Sequence, residues 1–265
     1  MKRTALVTGA SSGIGLATAT ALVARGYRVI GTSRDPDTVK HPVDGVEYVA
    51  LDLNSDDSIA ALTATLHGVD ILVNNAGESQ SGPFEELPMA ALRRLFEVNV
   101  LGPVRLAQLA LPGMRERGYG RVVMVGSMLA SFPLAYRSSY VASKAAIKGF
   151  ANGARHEYSP YGVWLTTVEP GSINTGISER RTKYIAADSP HRAEFEKMLA
   201  ALDRNEKAGT SAERVAATIV TAIEAEKPKQ RYAVGSNAPF VFALRRLVPV
   251  GVVEKITHRK HDLSR

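Results

Sequence analysis

The sequence predicts an α/β chain built on one doubly wound parallel sheet, with helices on both faces. Three observations carry this. Short β-branched runs alternate with Ala- and Leu-rich helical stretches as far as Pro170. Such alternation implies βαβ units with right-handed crossovers. Strand candidates such as Val69–Val73 are short unbroken apolar runs, the pattern of strands buried on both faces. A glycine-rich turn also joins the first strand candidate to the first helix candidate.

In order, Thr4–Thr8 reads as a strand, Gly13–Arg25 as a helix, and Tyr27–Thr32 and Val46–Leu51 as strands. Ser55–Leu66 reads as a helix with Ser55 at its N-cap. Asp56 and Asp57 then lie in a first turn whose dipole favours acids. Val69–Val73 follows as a strand, Pro88–Met114 as one long helix, Arg121–Val125 as a strand, Ser139–Tyr158 as a helix and Val163–Val168 as a strand. After Pro170 the rhythm breaks. Residues 172–209 are polar and charged with no strand, and Pro190–Asn205 holds one or two short helices. A long insert of this kind is usually a lid. Ser211–Glu226 resumes a helix with Ser211 at its cap, and Arg231–Val234 makes the seventh strand. Ala238–His258, broken by Pro239, Pro249 and Gly251, reads as amphipathic and irregular. The expected organisation is one domain over residues 1–265, with a lid insert at 176–209 and a basic tail at 238–265.

At 265 residues the chain can bury a full core. It has no cysteine, which excludes disulfides, thiolate catalysis and Cys-ligated zinc. Met1-Lys2-Arg3 precedes an apolar run that Gly9 cuts too short for a signal peptide, so a cytoplasmic location is expected. No apolar run reaches the roughly 18 residues of a membrane span. The net charge of +7 sits in the C-terminal stretch, where nine Lys/Arg from Lys227 to Arg265 face Glu254 and Asp262. A basic tail can meet nucleic acid or anionic lipid, but no nucleic-acid motif accompanies it, and a solvated terminus is expected. The tail's apolar stretch could cap a pocket, meet a second subunit or lie on a membrane. Packing within the protein is the default expectation. His258 and His261 are expected to be solvated, and no histidine spacing suggests a metal.

The turn Thr8-Gly9-Ala10-Ser11-Ser12-Gly13-Ile14-Gly15 carries the first chemistry. Gly9 permits a tight turn, Gly13 lets backbone amides approach a pyrophosphate, and Gly15 lets the helix pack close. A purely structural turn is the alternative. With a strand before and a helix after, the unit is of Rossmann type and implies a dinucleotide. The second strand ends in Ser33-Arg34. A hydroxyl beside a guanidinium suits a ribose 2′-phosphate, where NAD sites place an acid. NADP(H) is expected over NAD(H), with Asp35 turned away; the alternative is that Asp35 holds the ribose. Asp52, beside Leu53, would either bond the adenine amino group or serve as a turn acid.

Tyr140 and Lys144 lie four apart in a helical stretch, hence on one face. An ammonium near a phenol favours phenolate and suits proton transfer to or from an alkoxide. A surface pair would read the same way. Ser127, just past the Arg121–Val125 strand, would polarise a substrate oxygen or simply make a turn. Asn99, between Val98 and Val100, would hold a proton-path water or make an internal structural hydrogen bond.

Taken in order, the loop, the Asn74–Gly77 stretch NNAG, Asn99, Ser127, Tyr140, Lys144 and Pro170-Gly171 resemble a short-chain dehydrogenase/reductase. The likeness runs from Thr4 to about Tyr232, and Ser127 stands 13 residues before Tyr140, as is common in that family. Phrases such as YRVIGTSRDPD, FEVNVLGPVRL and VEPGSINTG are most similar to its 17β-hydroxysteroid dehydrogenase-like members. The resemblance implies Tyr140 as general acid/base, Lys144 on the nicotinamide ribose, Ser127 on the substrate oxygen and Asn99 in a water-mediated relay. It implies a cofactor site of Gly9, Ser11, Ser12, Gly13, Ile14, Gly15, Ser33, Arg34, Asp52, Leu53, Asn75, Ala76, Gly77, Tyr140, Lys144, Pro170, Gly171, Ile173 and Thr175. The substrate, a lipophilic ketone or aldehyde or its alcohol, would meet Ser127, Met128, Leu129 and Tyr136. A homodimer or homotetramer is the family's usual state. Gly126 departs from the serine often found there, which predicts a looser loop. The reading from another functional class is a silent NADP(H)-binding regulator or scaffold.

Overall fold

The computed structural model describes residues 2–176 and 179–263, so residues 177 and 178 of the expected insert, and 264 and 265 of the tail, lie outside the described residues. Seven strands form one parallel sheet: β1 (Thr4–Val7), β2 (Arg28–Ser33), β3 (Val46–Ala50), β4 (Ile71–Asn74), β5 (Gly120–Val125), β6 (Val163–Pro170) and β7 (Arg231–Val234). Their order is β7-β6-β5-β4-β1-β2-β3. The chain winds outward from β1 to β3, then returns to β4 on the other side of β1. That reversal opens a crevice beyond the carboxyl ends of β1 and β4, the usual ligand position in such sheets.

Alternate residues of each strand face opposite layers. Leu6, Leu72, Val122 and Leu165 point into one core with Ile59, Leu66, Leu106 and Ile147. Ala5, Val7, Ile71, Val73, Val123 and Val125 point into the other, with Ala19, Leu22, Val215, Ile219 and Ile223. The second layer is made by α1 (Gly13–Val23) and α8 (Ala212–Glu224). The first holds α2 (Asp56–Ala60), α3 (Thr63–Gly68), α5 (Gly102–Glu116) and α6 (Ser138–Tyr158).

Both expected caps are present. The Ser211 hydroxyl accepts from the Arg214 N–H at 3.3 Å, and that of Ser55 from the Ser58 N–H at 3.2 Å. Ser55→Ala is expected to lower unfolding free energy by about 1 kcal/mol; an unchanged urea midpoint would show that the cap contributes nothing.

Elsewhere the structure corrects the element boundaries. The single helix expected over Ser55–Leu66 is two, because the Thr63 hydroxyl bonds the Ala60 carbonyl at 2.7 Å where α2 hands over to α3. The long helix expected over Pro88–Met114 is α4 (Met89–Phe96), a π-helical turn over Glu97–Leu101, and α5. Pro103 has no N–H for the carbonyl four residues back, that of Asn99, so the ladder widens there. The insert, expected to lack strands, contains short ones. Ile173–Asn174 pairs with Thr210–Ser211, and Thr182–Lys183 with Gln80–Ser81. Its helix is one of sixteen residues, α7 (Arg192–Lys207).

The tail is not irregular but forms α9 (Ala238–Leu244) and α10 (Val250–Arg259). It packs on the protein in part. Phe242 meets Phe132 edge-on at 5.0 Å, whereas Leu247 and Val250 are exposed. His261 is not solvated as expected: it is buried and bonded through Nδ1 to the Thr257 carbonyl at 2.8 Å, and burial lowers its pKa. No helix among the described residues is long and apolar enough to cross a membrane.

Candidate active site

The crevice begins at the glycine turn. Gly9 and Gly13 both have positive φ, +66° and +54°, a conformation glycine adopts without penalty. A Cβ on Gly9 would lie 3.2 Å from Ala76, and one on Gly13 would lie 3.4 Å from Thr175. The turn is therefore walled by the NNAG stretch on one side and by the segment after β6 on the other. The Thr8 hydroxyl accepts from the Asn75 and Ala76 N–H groups, both at 2.9 Å, and Asn75 Nδ2 donates to the Thr8 carbonyl at 2.9 Å. At the start of α1, Ser12 is extended and makes no side-chain cap bond. The first-turn N–H groups thus lack a side-chain cap from Ser12, the arrangement that receives anions. Ser11, Ser12 and Ile14 line this turn.

At the end of β2, the Asp35 carboxylate caps its own turn by accepting from the Asp37 N–H at 3.1 Å. The Ser33 hydroxyl bonds the Asp35 carbonyl at 3.2 Å, and Arg34 is exposed beside it. Asp52 accepts from the Asn54 N–H at 2.9 Å, the geometry of a turn acid, with Leu53 buried next to it.

A second cluster stands at the carboxyl end of β5. Tyr140, Ser143 and Lys144, on α6, are buried together with Ser127. Lys144 Nζ donates to the Val125 carbonyl at 2.9 Å and lies 5.8 Å from the Tyr140 ring centroid. Burial pulls the Lys144 ammonium down to about 8, and among the described residues no carboxylate pairs with it. Burial also pushes the Tyr140 phenol up, while the Arg137 guanidinium and a hydrogen bond with Ser127 pull it back. The Ser127 hydroxyl accepts from the Leu129 N–H at 3.1 Å, which fixes it at the start of its loop. Asn99, in the π turn, makes internal bonds. Its Nδ2 donates to the Glu78 carbonyl at 3.0 Å and to Ser143 Oγ at 3.1 Å, and its Oδ1 accepts from the Glu78 N–H at 2.8 Å. Gly77 joins the two clusters. A Cβ there would sit 3.0 Å from Asn99 Oδ1 and 3.7 Å from Lys144 Nζ.

The short chain dehydrogenase family model matches residues 3–186. The chain belongs to the short-chain dehydrogenase family. A short-chain dehydrogenase of Streptomyces avermitilis, solved by crystallography, is 35% identical, with a TM-score of 0.80 over 97% of each chain. Human 17-beta-hydroxysteroid dehydrogenase type 1 is 34% identical over 248 residues, 86% of this chain and 76% of that protein. An NADPH-dependent 3-dehydrocapnine reductase of Ornithobacterium rhinotracheale is 30% identical over 97% of this chain and 96% of its own. These relatives are oxidoreductases.

Met128 is buried with Phe132, Ala238 and Phe242, so α9 covers the loop after Ser127. A Cβ on Gly171 would lie 3.2 Å from Met128 Sδ, which ties the turn after Pro170 to the same wall. Leu129 and Tyr136 lie elsewhere, packed on the cluster of Phe195, Met198 and Leu202 from α7. Tyr136 meets His191 and Phe195 edge-on, bonds Glu194, and borders a groove of about 440 Å³ with Pro83, Phe84 and Glu85. Its φ of +63° is strained for an aromatic residue. No group of three or more His, Asp or Glu among the described residues could hold a metal ion.

Three features of the site escaped sequence reasoning. Arg137 is buried over Tyr140. Arg181, early in the insert, is buried and held by Asp203 at 2.8 Å and Glu206 at 2.6 Å, which pins that part of the insert to its own helix, α7. Glu169 on β6 is fully buried and pairs with Lys148 at 3.1 Å. Lys148 also bonds Ser131 Oγ at 2.7 Å, in the loop after Ser127. Gly126 leaves room for that carboxylate side chain, since a Cβ there would lie 3.3 Å from Glu169 Cγ. The loop expected to loosen at Gly126 is thus tied down by an ion pair.

Proposed function

We propose that this chain is an NADP(H)-dependent oxidoreductase that interconverts a lipophilic ketone or aldehyde and its alcohol. The observation that carries the reading is the buried cluster of Ser127, Tyr140 and Lys144, linked through Lys144 to Gly77 and so to a glycine turn whose first helical N–H groups lack a side-chain cap. The residues fit a dinucleotide: side chains at Gly9 and Gly13 would narrow the turn, and the exposed Arg34 guanidinium after β2 would pair with a 2′-phosphate. The relative named for NADPH dependence supports the same choice. Gly9 to Gly15, Asn75 to Gly77 and the Pro170–Thr175 segment would hold the nucleotide. Lys144 would donate to its ribose, and Ile173 and Thr175 would face its carboxamide.

The bound cofactor supplies a hydride to the carbonyl carbon. The Tyr140 hydroxyl donates a proton to the carbonyl oxygen, and the alcohol leaves. Ser127 donates a hydrogen bond to the same oxygen and polarises it. Lys144 and the dipoles around Asn99 hold the phenol and its proton path in register. Residues 176–209 act as the lid. Buried Met128 and Phe132 favour a lipophilic substrate.

The test is loss of NADPH absorbance with a panel of ketones, aldehydes and quinones. Turnover is expected. Tight NADPH binding with no turnover on any member would replace this reading with a cofactor-holding scaffold. Arg34→Asp is expected to weaken NADPH by about tenfold or more and NADH far less, since it exchanges a charged hydrogen bond for repulsion. Greater loss of NADH would overturn the NADP(H) preference.

A further inference from the structure

Arg137 ends the turn that leads into α6, one helical turn before Tyr140. Its side chain is buried, with a relative exposure of 3%, and Cζ lies 4.3 Å from the centroid of the Tyr140 ring. Nη1 makes every hydrogen bond found for this guanidinium: to Ser79 Oγ at 3.0 Å, the Gln80 carbonyl at 3.1 Å and Ser81 Oγ at 3.0 Å. Nε is buried with no hydrogen-bond partner among the described residues. Among the described residues no carboxylate forms an ion pair with it, in contrast to Arg181, which has two.

A buried cation without a counter-ion is costly. Its acceptors here are neutral, and its remaining neighbour is an aromatic face, which attracts a cation only modestly. A charge in that setting has one large favourable term still unused, a negative charge beside it. The phenol beneath it is the one side chain of the cluster that acquires such a charge when it gives up a proton.

We propose that Arg137 is a positioning residue for proton transfer: its guanidinium, stacked on Tyr140, stabilises the phenolate and orients the ring. This rests on the reading of Tyr140 as the general acid/base. Arg137 stays a cation at neutral pH, because burial lowers it only to about 10. Each element packed round the phenol brings its own group: Ser127 after β5, Lys144 on α6, Arg181 on the insert and Glu206 on α7. Arg181 and Glu206 are bonded to each other at 2.6 Å and act on the phenol in opposite directions, the carboxylate more strongly. Arg137 is therefore the largest uncompensated influence that holds the phenol down against burial.

The test reads the phenol directly and needs no substrate. The full chain is labelled with 13Cζ-tyrosine and titrated by NMR, and the Tyr140 signal is assigned by its loss in Tyr140→Phe. In Arg137→Met the Tyr140 midpoint is expected to rise by about 1 unit or more, the effect of losing an opposite charge at this range. Arg137→Lys, which keeps the charge, is expected to restore most of the shift. If Arg137→Met does not fold, Arg137→Lys and Arg137→Gln are compared, with the midpoint higher in the glutamine variant. An unchanged midpoint in the uncharged variant overturns the inference. Turnover retained in Tyr140→Phe would instead remove the acid/base reading itself, whatever the titration shows.

Discussion

Replacing Tyr140 with Phe is expected to lower kcat for ketone reduction by roughly 10²–10⁴-fold, the range removed with a positioned proton donor. The substitution is narrow. The ring stays, so its packing in the buried cluster and its face toward Arg137 stay with it. Only the hydroxyl goes, and with it the proton for the developing alkoxide. NADPH affinity should change little, because the glycine turn, Arg34 and the NNAG stretch lie on other elements. The check pairs steady-state kcat at saturating NADPH with a fluorescence titration of NADPH. A kcat within about twofold of wild type would mean that water or another side chain delivers the proton.

Such a substitution can be named from the sequence because of how the site is assembled. Tyr140 and Lys144 are four residues apart on one helix, so helix geometry alone puts them on one face. The glycine turn is similarly local, a strand end and a helix start joined by the five residues Thr8 to Ser12. Contacts that depend on tertiary approach were not legible. Arg137 reads as an ordinary surface cation until the fold brings Ser79 and Ser81 to it from more than fifty residues away. Glu169 sits in an apolar strand, and its reason for being there, Lys148 on the facing helix, is visible only once β6 and α6 pack. The π turn at Asn99 follows from a missing N–H at Pro103, but hydrophobic periodicity runs through it unbroken. The tail's helices were masked by Pro249 and Gly251, which stand at the cap and first turn of α10, where helices tolerate them. In the sequence Arg181 is only one charge of a charged insert, since neither acid that holds it is near in sequence.

Gly15→Ala is expected to damage binding and stability together, for a reason that has nothing to do with φ. An ideal Cβ at Gly15 would lie 2.1 Å from the Gly9 carbonyl oxygen and 2.6 Å from Asn75 Nδ2. Neither neighbour can yield cheaply. One is backbone of the turn itself, and the other is the amide that bonds the Thr8 carbonyl and so fastens the NNAG stretch to the turn. One added methyl group must therefore push α1 away from the turn whose helical N–H groups would face the pyrophosphate. Overpacking of this kind costs about 1–3 kcal/mol, and a loss of NADPH affinity of about tenfold or more is expected alongside it. Gly149→Ala is the matched control. A Cβ there, on the exposed face of α6, meets nothing within 4 Å, so the same chemical change should be neutral or stabilise by up to about 1 kcal/mol. Thermal unfolding and NADPH titration of both variants read the contrast. Equal NADPH affinity in Gly15→Ala and wild type would show that the turn does not hold the nucleotide where its geometry places it.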